Sequence, residues 1–115
     1  MCLDFSPNGV HLATGSEDHT VRVWDLRQRK IIYTIPAHNH LVSHLRFSPV
    51  SGEYLTTSSF DGTIRMWSGR DWSPMGKVSG HDNKITSFDI FPDERHMVSC
   101  SFDRTIKWWA HENEF

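Results

Sequence analysis

The sequence predicts an all-β fold assembled from three copies of one four-stranded antiparallel unit. Three observations carry the prediction. A nine-residue pattern recurs as Ser16-Glu17-Asp18-His19-Thr20-Val21-Arg22-Val23-Trp24, Ser59-Phe60-Asp61-Gly62-Thr63-Ile64-Arg65-Met66-Trp67 and Ser101-Phe102-Asp103-Arg104-Thr105-Ile106-Lys107-Trp108-Trp109. Its Asp and Trp positions repeat at spacings of 43 and 42 residues. Between the copies, short β-branched runs are broken by Gly, Pro and Asp turns, and no segment keeps a helical period.

The second unit shows the order of elements. Lys30 to Ile35 alternates and is β-branched, so it reads as the outer strand of the preceding unit. Ala37 to Asn39 is a turn. Leu41 to Phe47 is an inner strand ended by Pro49, whose nitrogen cannot donate to a ladder. Val50 to Glu53 is a Gly-containing hairpin loop, and Tyr54 to Ser58 is the next strand. Phe60-Asp61-Gly62 carries Asp-Gly turn chemistry, and Thr63 to Trp67 is the third strand. The third unit repeats this order after a longer connection, Arg70 to Lys77. Within that connection Trp72 either covers the outer edge of the unit or offers a side-surface contact.

Further landmarks stay in register. Phe5-Ser6-Pro7 matches Phe47-Ser48-Pro49 and, more loosely, Ile90-Phe91-Pro92; Ala37-His38 matches Gly80-His81. A period of this length with these landmarks resembles the WD-repeat family, whose units are four-stranded propeller blades. The resemblance implies a partial β-propeller with repeats at about 1–25, 26–68 and 69–110 and a tail at 111–115. Closed propellers have four to eight blades. Three blades therefore read as incomplete at both ends, as the carboxy-terminal portion of a larger protein or a truncated product. Unpaired strand edges at both ends predict poor solubility or self-association.

His38, Thr57 and Asp61 group a histidine, a hydroxyl and a carboxylate, as a hydrolase triad does. The set recurs as His81, Ser99 and Asp103, and the first repeat keeps Thr14 and Asp18. Each set aligns with a tryptophan: Trp24, Trp67 and Trp109. An active site needs one preorganised constellation, not one per blade. In the family these four residues form a structural tetrad that satisfies the tryptophan N–H. The resemblance implies that role here and no catalytic residue.

Phe60 and Phe102 directly precede the turn Asp, where the first repeat has Glu17. Each is read either as an anchor for a protein partner on one rim of the central channel or as packing onto the adjacent blade. His40 and Asn83 follow the His turns and would add polar contacts. His40 and His44 also invite a metal reading, but no cysteine or second cluster accompanies them, and none is assigned. Arg22, Arg27, Arg29 and Lys30 form a basic stretch diluted by Asp25, either a solvated blade edge or a contact for an acidic protein or RNA.

Composition narrows the function classes. Apolar residues are 37% and aromatics 12% of the 115 residues, enough for a packed core. The net charge of −2 lacks the basic surplus of a primary nucleic-acid reader. Two cysteines, Cys2 and Cys100, make no disulfide framework, and a reducing cytosol or nucleus fits them. No stretch reads as a signal peptide, membrane helix or phosphate-binding glycine loop, so no membrane, cofactor or small-molecule substrate is expected.

Within the family, the run from Asp25-Leu26-Arg27-Gln28-Arg29-Lys30 to Pro36-Ala37-His38 and the Trp72-Ser73-Pro74 insertion resemble the WD-repeat scaffold of the spliceosomal U4/U6 small nuclear ribonucleoprotein. That resemblance implies a nuclear, non-catalytic scaffold in pre-mRNA splicing, bound to U4/U6 particle proteins and meeting U4/U6 RNA within the assembly. Ser68 and Ala110 depart from the Asp of the family's Trp-Asp pair. An adaptor of another complex, such as a ubiquitin-ligase substrate receptor or a signalling scaffold, is the alternative.

Overall fold

The computed structural model describes residues 2–110; the predicted tail at 111–115 lies outside them. Eleven strands in three antiparallel sheets make three consecutive propeller blades. Blade 1 is β1 (Cys2–Phe5), β2 (His11–Gly15), β3 (Val21–Asp25) and β4 (Lys30–Ile35), paired in that order. Blade 2 is β5 (Val42–Phe47), β6 (Tyr54–Ser59), β7 (Thr63–Ser68) and β8 (Pro74–Ser79). Blade 3 is β9 (Ile85–Ile90), β10 (His96–Ser101) and β11 (Ile106–Ala110), three strands among the described residues.

The second half of blade 2 departs from expectation in one strand and decides between the two readings of Trp72. The segment read as a long connection contains β8 from Pro74 onward. Pro and Gly disguise it in the sequence, but β8 is the outer strand of its sheet, where Pro is tolerated because one backbone edge needs no partner. Trp72 is buried rather than presented at the side surface. It packs edge-on to Phe47, with ring centroids 6.2 Å apart, and to His11 at 5.3 Å, so it closes the joint between blades 1 and 2.

The period-2 pattern determines where the core lies. In β3, Val21 and Val23 are buried while Arg22 and Trp24 alternate with them, half-buried. Val21, Val23 and Ala13 share one cluster with Val42, Leu45 and Phe47 of blade 2. Ile64 and Met66 share a second with Ile85, Phe88 and Ile90 of blade 3. Each fully buried aliphatic side chain in these joints is worth roughly 1.5–3 kcal/mol of transfer free energy. Alternation disappears in β6, where all six residues are buried. That strand belongs to the middle blade, so Leu55 joins one cluster and Tyr54 the other.

Polar contacts tie the blades at one rim, at the carboxy-terminal ends of β1, β5 and β9. Arg46 on β5 pairs with Asp4 on β1 and Asp89 on β9, and the Phe47 N–H donates to Asp4 at 2.9 Å. Just beyond the same end of these strands, in the β5–β6 and β9–β10 loops, the Glu94 carboxylate accepts from the N–H groups of Val50 and Ser51, both at 3.0 Å. The Tyr54 hydroxyl donates to the Glu94 carbonyl at 2.8 Å.

The turns before β3, β7 and β11 share one backbone geometry. His19, Gly62 and Arg104, each following the turn Asp, have φ of 74°, 84° and 68°. Only glycine adopts this region without a side-chain penalty. A Cβ on Gly62 would also lie 3.3 Å from the His81 carbonyl of the neighbouring turn. Gly62→Ala is therefore expected to destabilise the chain by about 1 kcal/mol or more, read as a lower urea midpoint at unchanged m-value.

Candidate functional site

The two complete tetrads, of blades 2 and 3, are each built from four places. His38 lies in the turn after β4, Thr57 on the central strand β6, Asp61 in the β6–β7 turn and Trp67 on β7. The Trp67 indole N–H donates to Thr57 Oγ1 at 3.1 Å. Thr57 Oγ1 lies 2.8 Å from His38 Nε2, and His38 Nδ1 lies 3.0 Å from Asp61 Oδ2. Asp61 can only accept, which places the histidine proton on Nδ1 and leaves Nε2 to accept from the threonine hydroxyl. The chain of donors thus runs one way, from indole to carboxylate.

Blade 3 repeats the arrangement. Trp109 donates to Ser99 Oγ at 2.9 Å, Ser99 Oγ lies 2.7 Å from His81 Nε2, and His81 Nδ1 lies 2.9 Å from Asp103. In blade 1 the Trp24 N–H donates to Thr14 Oγ1 at 3.1 Å, while Asp18 binds Thr20 and Arg22 instead of a histidine.

Thr57, Ser99, His38 and His81 are all buried. Each hydroxyl already receives an indole proton, so neither is presented to a substrate as a nucleophile would be. Burial raises the Asp61 pKa, but hydrogen bonds from His38, Thr63 and the Asn39 N–H outweigh it and hold the carboxyl well below the usual range. Asp103 is lowered in the same direction, chiefly by the Thr105 hydroxyl against a desolvation penalty. Hydrogen bonds from the Thr20 side chain and backbone bring Asp18 down to about 2.

The rim above the tetrads carries a ribbon of rings that crosses all three blades. His19 stacks on His40 with centroids 6.1 Å apart; His40 meets Phe60 at 5.8 Å, and Phe60 meets Phe102 at 6.1 Å. The Lys84 ammonium sits 5.0 Å from the centre of the Phe60 ring. The structure thereby divides the two phenylalanines. Phe60 is half-buried among its neighbours, whereas Phe102 is 57% exposed. Beside Phe60 lies a hollow of about 300 Å³ lined by Glu17, Leu41, Val42, Ser43 and Thr86.

His40 and Asn83 are exposed on the same rim and also brace their own turns. His40 Nδ1 accepts from the Leu41 N–H, and Asn83 Oδ1 accepts from the Lys84 N–H, both at 2.8 Å. His19 was missed in the sequence, where the alignment set Glu17 opposite Phe60. Its signal was the residue after the turn Asp, which left-handed backbone geometry turns toward the next blade.

The remaining candidates have local partners. His44 packs edge-on to Phe88 with centroids 5.0 Å apart; burial, aided by Arg46, lowers its pKa. Among the described residues no three His, Cys, Asp or Glu side chains converge as a metal site would require. In the basic stretch, Arg22 pairs with Asp18 at 3.1 Å and Arg27 with Asp25 at 3.3 Å, while Arg29 and Lys30 are exposed. There is no helix among the described residues, hence none long and apolar enough to cross a membrane.

Comparison with known proteins places this geometry. The sequence matches the family described as WD domain, G-beta repeat, over residues 1–25, 29–68 and 72–110. It is 32% identical over 114 residues to the DDB1- and CUL4-associated factor 11 homolog of Caenorhabditis elegans, covering 94% of this chain and 20% of that protein. It is 39% identical over 111 residues to the nuclear distribution protein nudF of Emericella nidulans, covering 94% and 25%. A transcriptional corepressor of Arabidopsis thaliana, LEUNIG_HOMOLOG, is 32% identical over 110 residues, covering 95% and 14%. The chain therefore spans a quarter or less of the length of these relatives.

Two outcomes test the tetrads. His81→Ala leaves the buried Ser99 hydroxyl and the Asp103 carboxylate without their shared partner, and should cost about 2 kcal/mol or more in urea denaturation. Asp61 is more acidic folded than unfolded, so its stabilisation is complete above the ordinary carboxyl pKa of about 4. It is lost as the pH falls below that value toward the folded pKa. The urea midpoint should drop between pH 5 and pH 2.5, and Asp61→Asn should flatten that drop; an unchanged slope in the variant would remove Asp61 as its source.

Proposed function

The chain belongs to the WD domain, G-beta repeat family, and on that footing we propose that it is a non-catalytic protein-interaction scaffold whose working surface is the aromatic ribbon of His19, His40, Phe60 and Phe102. The observation that carries this reading is the pairing of exposed Phe102 with half-buried Phe60 beside a ready hollow. Large aromatics in such settings supply most of the binding energy of protein interfaces. The two tetrads fix the turns that bear His40, Phe60 and Phe102, so little ordering entropy opposes binding. A net charge of −2 favours a protein partner over a bare phosphate backbone.

For the assembly served, we place the chain in the U4/U6 small nuclear ribonucleoprotein, in the nucleus, among that particle's proteins and with its RNA met inside the assembly. The support is the resemblance carried by Arg27 to His38 and by Trp72-Ser73-Pro74. A second reading has its own observation. The likeness to a DDB1- and CUL4-associated factor across 94% of the chain favours a substrate receptor of a ubiquitin ligase. Purification of the tagged chain from cells separates the two: U4 and U6 RNA with particle proteins supports the first, a cullin with its adaptor supports the second.

The face itself is tested independently of the assembly. Phe60→Ala with Phe102→Ala should weaken binding to the recovered partner by at least tenfold, about 1.4 kcal/mol. Phe102 is exposed, so the melting temperature of its single variant should move little. Unchanged affinity in the double variant would remove the ribbon from the interface.

A further inference from the structure

A second hollow opens at the joint between blades 1 and 2, where the outer strand β4 faces β7 and the start of β8. It shares no residue with the aromatic ribbon, and both of its walls are consecutive blades of this chain. Its volume is about 470 Å³, within the roughly 300–1,000 Å³ of ligand pockets. Trp67 and Trp72 line it, each only 6% exposed. Tyr33 on β4, 44% exposed, and the exposed Pro36 and Pro74 complete an apolar lining.

One cation stands in this lining. Arg65 on β7 has a buried Nε that meets no hydrogen-bond acceptor among the described residues. Its cross-strand neighbours on the same face are Thr57 of β6 and Lys77 of β8. Thr57 Oγ1 is held in the tetrad, and the exposed Lys77 is a like charge, which disfavours the pairing. The turn carboxylate of the same blade, Asp61, is committed to His38 and Thr63. Asp71 also lines the hollow, but its Oδ1 accepts from the Ser73 N–H at 3.1 Å and the Ser73 hydroxyl at 2.7 Å. Neither Arg65 nor Lys77 makes an ion pair with a described residue.

We propose that this hollow docks an extended segment of another protein, which sets a bulky apolar side chain against Trp67 and Trp72 and an Asp or Glu carboxylate against Arg65. A carboxylate matches the guanidinium fork, gives Nε its acceptor and offsets the repulsion from Lys77. The negative charge of Asp71 on the same wall favours a single carboxylate over a dianionic phosphate. A peptide suits the place because β4 is the edge strand of its sheet, with one row of backbone groups outside the ladder. An added strand pairs with such an edge while its alternate side chains enter the neighbouring pocket. The scaffold thereby gains a side surface that works independently of the rim.

An array of short synthetic peptides tests this on the full chain. Each member carries Asp or Glu next to Phe or Leu, beside counterparts with Asn or Gln for the acid and Ala for the apolar residue. Acidic–apolar members should bind and shift the indole emission, and each counterpart should bind more weakly by roughly tenfold or more. Arg65→Gln and Tyr33→Ser should each weaken the bound members by a similar factor, with unchanged β circular dichroism. Lys77→Gln, at an exposed position, should also weaken them and keeps the test open should Arg65→Gln fail to fold. Equal binding of acid and amide members, affinity untouched by Lys77→Gln and Tyr33→Ser, or no binding by any member would each overturn the proposal. So would a dimeric parent chain that Tyr33→Ser turns monomeric, which would make a second copy the occupant.

Discussion

A buried indole must place its N–H, and the geometry of these blades follows from how that is done. Trp67 lies in the joint between blades 1 and 2, where no water reaches its nitrogen. Thr57 on the neighbouring strand accepts the proton, which obliges the hydroxyl to find an acceptor of its own, and His38 provides it. The histidine in turn needs Asp61, and Asp61 needs the N–H groups and hydroxyls of the tight turn around it. One unsatisfied donor thus fixes a strand, two turns and the register between them. The same obligation, met with Ser99 in place of Thr57, shapes blade 3.

This network also explains how residues of hydrolase-like type serve the architecture of the blades. Its members spend their hydrogen bonds on each other, in a low-dielectric setting that strengthens every bond while making any missing one costly. What they support lies above them. The rim rings touch in sequence from His19 to Phe102; tetrads hold the turns that carry His40, Phe60 and Phe102, and the Thr20 and Arg22 bonds of Asp18 hold the turn of His19. The loops that carry these rings thus have their positions set by buried polar bonds.

Much of this was legible in the residues themselves. The strand Lys30–Ile35 appears with the predicted bounds, set by its β-branched run between turns, although its burial does not alternate. The Asp-Gly turn at Asp61-Gly62 and the grouping of His, hydroxyl, Asp and Trp were equally readable, since each repeats at a fixed spacing. The outer strand β8 was hidden because Pro74 and Gly76 carry low β-propensity, and tertiary pairing with β7 overrides that preference. The burial of Trp72 was undetermined because it depends on Phe47 and His11, which lie far away in sequence. The split between Phe60 and Phe102 was also out of reach: their local sequences are alike, and only the neighbouring blade distinguishes them.

The middle blade is covered on both faces while its neighbours are covered on one, and that asymmetry has a dynamic consequence. Opening free energies follow the amount of apolar area and paired backbone that must be released. The amides of β6, with all six residues buried, exchange with solvent only when both joints come apart, which amounts to global unfolding. Those of β4, mostly exposed along its length, and of β11 at the rim of its sheet open by fraying and leave the rest intact. Protection therefore grades from the flanks inward, and the last structure to melt is the strand that carries Thr57.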